Sequence, residues 1–133
     1  MMSVFRKMAD DVAARGCIVN PPASMEDIIR LKSLLNLTNE ENPIISMYRQ
    51  FNGFSQPDPL SLVEIWTVQK ILSFQPSYEK PEELVAFSDI MFDAEIFHVS
   101  VMPEPWIVNI SGTKVASNIE EFINLILTNA VPL

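Results

Sequence analysis

Cysteine, glycine and histidine are scarce in this 133-residue chain, and each scarcity excludes a class of function. A single cysteine, Cys17, can form neither an internal disulfide nor a cysteine-rich zinc site, which favours a reducing, cytoplasmic location. Only three glycines are present, and none has the spacing of a phosphate-binding loop. We therefore expect no cofactor.

Basic residues are also few, since nine Lys and Arg stand against seventeen Asp and Glu and give a net charge of −8. This charge repels a phosphate backbone, so binding to nucleic acid is not expected, whereas it would attract a basic protein. It would equally serve solubility alone. No apolar run approaches the ~18 residues of a membrane span, and charges interrupt the first sixteen residues, so neither a span nor a secretory signal is expected.

The remaining composition suits one folded domain spanning 1–133. Hydrophobic residues make up 48% of the chain and charged residues 20%, which is typical of a globular rather than a disordered protein. Helical patterns come first, strand-like segments follow Pro59, and one amphipathic helix comes last. This order predicts an α+β fold in which helices pack on a mainly antiparallel sheet.

Capping residues predict where the helices begin and end. Ser3, Ser24, Asn42 before Pro43, Thr67 and Ser117 are the predicted starts. Gly16 and the Asn52-Gly53 pair are the predicted stops. The last helix has an apolar face at helical spacing, formed by Ile119, Phe122, Ile123, Ile126 and Leu127.

Five segments between these helices have the alternation or the β-branched and aromatic content of strands: LSLVEIW, LVAFSDI, EIFHVSV, PWIVNIS and KVAS. Trp66 and Trp106 each lie in one of them, and core packing is the expectation for both. We predict that Phe51, Trp106 and Phe122 are buried in a single core.

No group of residues has the spacing of an active site. His98 shares a strand face with Ser100, so a Ser–His pair is sterically possible, but the chain has no nucleophile turn of the GxSxG kind. A histidine held by hydrogen bonds on a sheet is the preferred interpretation. Asp89, Asp93 and Glu95 lack the alternating ligands and central glycine of a calcium loop. Cys17 is interpreted as a small buried residue. We therefore predict that the protein is not an enzyme.

Four segments resemble the SUKH superfamily of bacterial toxin-immunity proteins, which includes the fungal regulator of cell-wall assembly. They are PIISMYRQFNG (residues 43–53), LSLVEIWTVQKI, LVAFSDIMFDAEIFHVSV and KVASNIEEFINLIL, in the order found in the family. The resemblance implies an α+β domain that binds and neutralises a toxin domain, often a nuclease or a deaminase. It implies no catalytic residues.

A nuclease toxin has a basic cleft for phosphate, so an acidic partner surface would both speed docking and block the cleft. The most one-sided acidic stretch of the sequence supplies the predicted partner-binding residues: Glu79, Glu82, Glu83, Asp89, Asp93 and Glu95. Two other classes of function stay open. One is a regulatory or scaffold domain without a toxin partner. The other is a small hydrolase or metal-dependent enzyme that uses His98 with the acids from Asp89 to Glu95.

Overall fold

The computed structural model describes residues 3–35, 43–74, 84–91, 95–100, 106–109 and 113–131. Within these ranges the chain forms five helices and five strands, which confirms the predicted α+β class. The helices are α1 (Val4–Ala14), α2 (Met25–Leu34), α3 (Pro43–Gln50), α4 (Val68–Phe74) and α5 (Ile119–Leu127). The strands are β1 (Val63–Ile65), β2 (Leu84–Ile90), β3 (Glu95–Ser100), β4 (Ile107–Val108) and β5 (Lys114–Ala116). None of the helices in these ranges has the length and apolar character needed to cross a membrane.

The strands form one antiparallel sheet, in which each strand pairs with the next one along the chain. Side chains alternate between the two faces of a strand, and partners in an antiparallel ladder share a face. Phe97 and Val99 of β3 therefore lie on one face, whereas Ile96 and His98 lie on the other.

Helix α5 packs on the face that carries Phe97. The ring of Phe122 lies 5.1 Å from the ring of Phe97 and 5.6 Å from that of Phe87, measured between centroids. The predicted apolar face of α5 is buried at Ile119, Phe122, Ile123 and Ile126, and Leu127 is half-buried. Both Phe51 and Phe122 belong to the hydrophobic core, as predicted.

An irregularity in β2 directs Asp89 to the opposite face. The register of β2 against β3 shifts between Ala86 and Ser88, so that Phe87 is the extra residue of a bulge. Phe87 contacts α5, but Asp89 pairs with Ile96 across the ladder and so shares its face. In a regular strand Phe87 and Asp89 would share a face, but the bulge places them on opposite faces of the sheet.

The capping residues are largely those predicted from the sequence. Ser3 Oγ accepts a hydrogen bond from the N–H of Arg6, and Ser24 Oγ accepts one from the N–H of Asp27. The last helix departs by one residue, because Asn118 rather than Ser117 caps it, with its Oδ1 accepting from Glu121 N at 2.8 Å. Starting at Ile119 allows that side chain to enter the core. The Asn42 prediction lies outside the described residues, although α3 does begin at Pro43.

One strand prediction and one burial prediction are corrected. Only Val63–Ile65 of LSLVEIW is a strand, because Leu62 has a positive φ of 65° and ends the turn that precedes β1. Trp106 is 40% exposed rather than buried. Its neighbour Ile107 is buried, so alternation turns Trp106 to the other face, where the ammonium of Lys114 lies 4.5 Å from the ring centroid.

Strand β1 is the first strand of the sheet, and an irregular segment covers its outer edge. Phe54 N donates to Ile65 O at 2.7 Å, and Asp58 N donates to Val63 O at 2.9 Å. Val19 in turn forms an isolated bridge with Phe54. These bonds bring the loop between α1 and α2 close to β1 and α4, where a surface groove opens.

Candidate functional site

The structure removes one residue from the predicted acidic binding surface. Asp89 is only 2% exposed, because the β2 bulge directs it inward, so a partner cannot reach its carboxylate in this fold. Glu95 is half-buried at the start of β3. The other four predicted residues lie outside the described ranges: Glu79, Glu82, Glu83 and Asp93.

Asp89 belongs to a cluster of charges beneath α4. Trp66 Nε1 donates a hydrogen bond to Asp89 Oδ2 at 2.7 Å, and the ammonium of Lys70 lies 3.7 Å from the same oxygen. Lys70 also contacts Glu64 Oε2 at 3.2 Å and lies 4.7 Å from the centroid of the Trp66 ring. One ammonium is thus shared between two carboxylates.

His98 of the hydrolase alternative is buried, and so is Cys17, as expected of that cysteine. His98 is fully buried, and burial lowers its pKa, while a hydrogen bond with the Val108 backbone and the charge of Glu95 act in the opposite direction. Burial also raises the pKa of the Cys17 thiol to about 11. A histidine that a substrate cannot reach does not act as a general base, and a protonated buried thiol is a poor nucleophile.

A groove of about 590 Å³ lies beside this cluster, between the α1–α2 loop, the loop after α3, and the start of α4. We call it the α2–α4 groove. Its walls carry mostly polar side chains, with three apolar ones. They are Asn20, Pro21, Pro22, Ser24, Asp27, Asn52, Phe54, Ser55, Glu64, Thr67 and Lys70.

Asn52 and Gly53 form one wall of the groove. Thr67 caps α4 as predicted, since its Oγ1 accepts from the N–H of Lys70. Asn52 Oδ1 accepts from the N–H of Val68 in the same first turn, while Asn52 Nδ2 donates to Gln69 Oε1 at 3.2 Å. Gly53 has φ +71°, and a Cβ there would lie 2.5 Å from the carbonyl oxygen of Trp66. The Asn-Gly pair therefore follows the end of α3, bonds to the first turn of α4 and holds the loop against β1.

The opposite wall is the first turn of α2. Asp27 lies there, and its Oδ2 accepts a hydrogen bond from Gln69 Nε2 at 2.6 Å. Gln69 thereby joins Asn52 to Asp27 through the two ends of its amide. Asn20 completes the network, because its Nδ2 donates to Asn52 O at 3.1 Å and its Oδ1 accepts from Ser55 Oγ at 2.7 Å. The groove is shaped by side-chain bonds between four segments: the α1–α2 loop, α2, the loop after α3, and α4.

The chemistry of these walls suits recognition better than metal binding. In the parts of the chain that the structure describes, no group of three His, Cys, Asp or Glu side chains is close enough to hold a metal ion. The groove instead offers hydroxyls, amides and carboxylates, with Pro21, Pro22 and Phe54 as apolar surface. Such a lining matches a polar or cationic side chain with an aliphatic stem.

Sequence reasoning missed most of this site. Ser24 was expected only to start a helix, and Asn52 was expected only to stop one. The one available signal was Asn52-Gly53 itself, because an amide beside an obligatory glycine is typical of a loop that approaches another backbone closely. No pattern in the sequence links Asp27 to Gln69, which lies 42 residues further on.

No protein-family model matches the chain, and a search of the curated proteins gives no match.

Proposed function

We propose that this chain is a SUKH-type protein-binding domain, an immunity protein that binds and neutralises a basic toxin domain in the cytoplasm. The α+β fold agrees with the architecture that the resemblance implies. The binding role is supported by the burial of His98 and Cys17, which leaves neither side chain exposed to a substrate.

The observation that carries the proposal is the excess of carboxylate charge at the α2–α4 groove. Asp27 and Glu64 line it, Asp89 lies behind it, and Lys70 is the only ammonium among the described residues that line it. A surface with this charge complements a basic protein and repels the phosphates of a nucleic acid.

The sequence extends this charge beyond the groove. Acids and bases nearly balance within the described ranges, so most of the net charge of −8 comes from the remaining segments. Glu79, Glu82, Glu83 and Asp93 are among these acids, and we retain them as proposed partner-binding residues. Together with the groove they would attract a basic toxin at long range.

Co-purification with candidate toxin domains tests the proposed function. A tagged chain should retain a basic nuclease or deaminase domain and protect cells that produce it. A chain that binds none of a panel of such domains and gives no protection would contradict the immunity role. It would favour a regulatory domain instead.

A salt series tests the electrostatic part once a partner is in hand. Association followed by stopped-flow should slow as salt rises, because the Debye length falls from about 10 Å at 0.1 M to about 3 Å at 1 M. Reversing Glu82, Glu83 and Asp93 to lysine should lower the association rate more than it raises the dissociation rate. Association indifferent to salt and to reversal would leave the charge as a matter of solubility.

A further inference from the structure

Asp27 is an unusual acid in this structure. Its side chain is nine-tenths buried at 9% exposure, although it lies on a surface helix and lines an open groove. The first turn of α2 explains only part of this position. Ser24 Oγ accepts a hydrogen bond from the backbone N–H of Asp27. The carboxylate of Asp27, however, accepts its bond from Gln69 of α4 and not from the backbone at the start of α2.

No cation compensates this carboxylate within the described residues. Asp27 forms no ion pair there, and its hydrogen bond comes from the neutral amide of Gln69, through Oδ2 alone. The nearby ammonium of Lys70 is already shared by Glu64 and Asp89. Among the described residues, the groove and its floor therefore hold three carboxylates and one ammonium, and Asp27 is the acid without an ion pair.

A buried carboxylate without a counter-ion is unfavourable unless something offsets the lost hydration. The helix dipole at the start of α2 offsets part of the cost. A cation from outside the chain would offset the rest, at a carboxylate of which little surface is exposed to water. Binding there does not have to remove the water that an exposed acid would hold.

We propose that the α2–α4 groove receives an arginine side chain of the protein partner, with Asp27 as its counter-ion. This inference rests on the proposed binding function and specifies its contact. A guanidinium is planar and weakly hydrated, and it presents several donors at once, which suits a wall of carboxylate, hydroxyl and amide oxygens. The aliphatic stem of the arginine packs on Pro21 and Pro22. A metal ion fits less well, since no three ligating side chains of the described ranges converge.

The experiment uses a small probe, so that it does not depend on knowing the partner. N-acetyl-arginine amide is titrated into the 15N-labelled chain at constant ionic strength, and N-acetyl-citrulline amide serves as the neutral probe of the same shape. We expect saturable shifts of the Gln69 and Asn52 side-chain amides and of the backbone from Ser24 to Asp27. The affinity of so small a ligand should be on the order of millimolar. Citrulline should give no saturable shift.

Two variants separate the groove from general acidity. Asp27→Asn keeps an oxygen for Gln69 but removes the charge, and it should weaken arginine binding by about tenfold or more. Glu121→Gln is the matched control, because Glu121 holds the same third position in α5 and is exposed. It should leave arginine binding unchanged. The thermal midpoint of Asp27→Asn should equal or exceed that of the wild type, which a purely structural role for Asp27 would not give.

The outcomes distinguish this inference from the proposed function. Equal shifts with arginine and citrulline, or arginine binding that survives Asp27→Asn, would overturn the groove contact. A partner that binds Asp27→Asn as tightly as wild type would do the same while leaving the immunity role intact. Saturable arginine binding by a chain that neutralises no toxin would support the groove contact. It would contradict only the proposed immunity role.

Discussion

Helices α5 and α4 pack on opposite faces of the same sheet and do so by different means. Helix α5 presents four buried apolar side chains, and its central contact is the ring of Phe122 between Phe87 and Phe97. Helix α4 also buries Val68 and Ile71, but it adds polar contacts that α5 lacks: Lys70 bridges two carboxylates and Gln69 spans the α2–α4 groove. The α5 contacts are apolar, whereas the α4 side combines buried apolar side chains with a shaped polar surface.

The difference between the two sides of the sheet indicates which of them can hold a specific binding site. Apolar contacts depend on buried area and shape, so a face packed by them accepts apolar substitutions that conserve volume. Polar contacts depend on each partner being present, since an unsatisfied group costs about 1–3 kcal/mol. A binding groove built beside α4 can therefore be specific, and its parts can be tested one at a time.

The largest effect is expected from breaking the α5 face. Phe122→Ala should lower the free energy of unfolding by about 3–5 kcal/mol, because a fully buried ring is lost and a cavity is left. Chemical denaturation measures this change. Ile29→Ala is the control, since that residue is 61% exposed on α2 and should change stability by no more than about 0.5 kcal/mol. A small loss for Phe122→Ala would mean that α5 does not pack as described.

The next effect concerns the loop that supports α4. Gly53→Ala should lower the free energy of unfolding by about 2–5 kcal/mol, since the new Cβ meets the Trp66 carbonyl and the backbone has a positive φ. Gly16→Ala is the matched control. Gly16 also has a positive φ, of 100°, but its Cβ would meet nothing within 4 Å. Its cost should be smaller, at about 1–2 kcal/mol of backbone strain. Equal losses in both variants would contradict the close approach at Gly53.

The apolar half of this comparison could be predicted from the sequence. The spacing of Ile119, Phe122, Ile123 and Ile126 predicts a helix and its buried side, because burial follows the helical period directly. Capping serines and the order of helices and strands predicted the α+β class for the same local reason. The exact cap of α5 was wrong, since Ser117 and Asn118 are both good caps and burial of Ile119 decides between them.

The polar half could not be predicted, because it depends on registers and distances that no local pattern contains. Regular alternation would have placed Asp89 beside Phe87, but a bulge separates them. Trp106 was expected in the core because it lies in a strand-like apolar segment, yet it is 40% exposed just before β4. The contact between Asp27 and Gln69 joins two helices that are far apart in the chain.

An intermediate effect should follow from unbalancing the charges beneath α4. Lys70→Met should lower the free energy of unfolding by about 1–2 kcal/mol, because the nearly buried Asp89 loses an ammonium. Lys70 is itself partly exposed, which keeps the loss below that of a fully buried pair. Adding Asp89→Asn should restore about half of the loss or more, since the neutral amide needs no counter-ion.

A matched surface lysine serves as the control for this cycle. Lys7→Met removes a partner of Asp11 at 3.4 Å on the exposed side of α1, and it should cost no more than about 0.5 kcal/mol. Losses that simply add in the Lys70 and Asp89 double variant would show that the two side chains are not coupled. The α4 face would then depend on shape in the same way as the α5 face.

The smallest effect distinguishes the two faces by pH. His98 lies on the face opposite α5, and burial lowers its pKa in the folded chain below the ordinary value of about 6.5. The unfolded chain therefore takes up the proton first as the pH falls. The stability that neutral His98 contributes is complete above about pH 6.5 and is lost as the pH drops toward the folded pKa, with a slope of at most about 1.4 kcal/mol per pH unit. Denaturation midpoints of wild type and His98→Gln, compared from pH 7.5 to pH 5, isolate this slope because the carboxylates titrate alike in both chains. On acidification the stability of the wild type should fall more than that of His98→Gln. Parallel curves would contradict this, because they would show that burial does not lower the pKa of His98 in the folded chain.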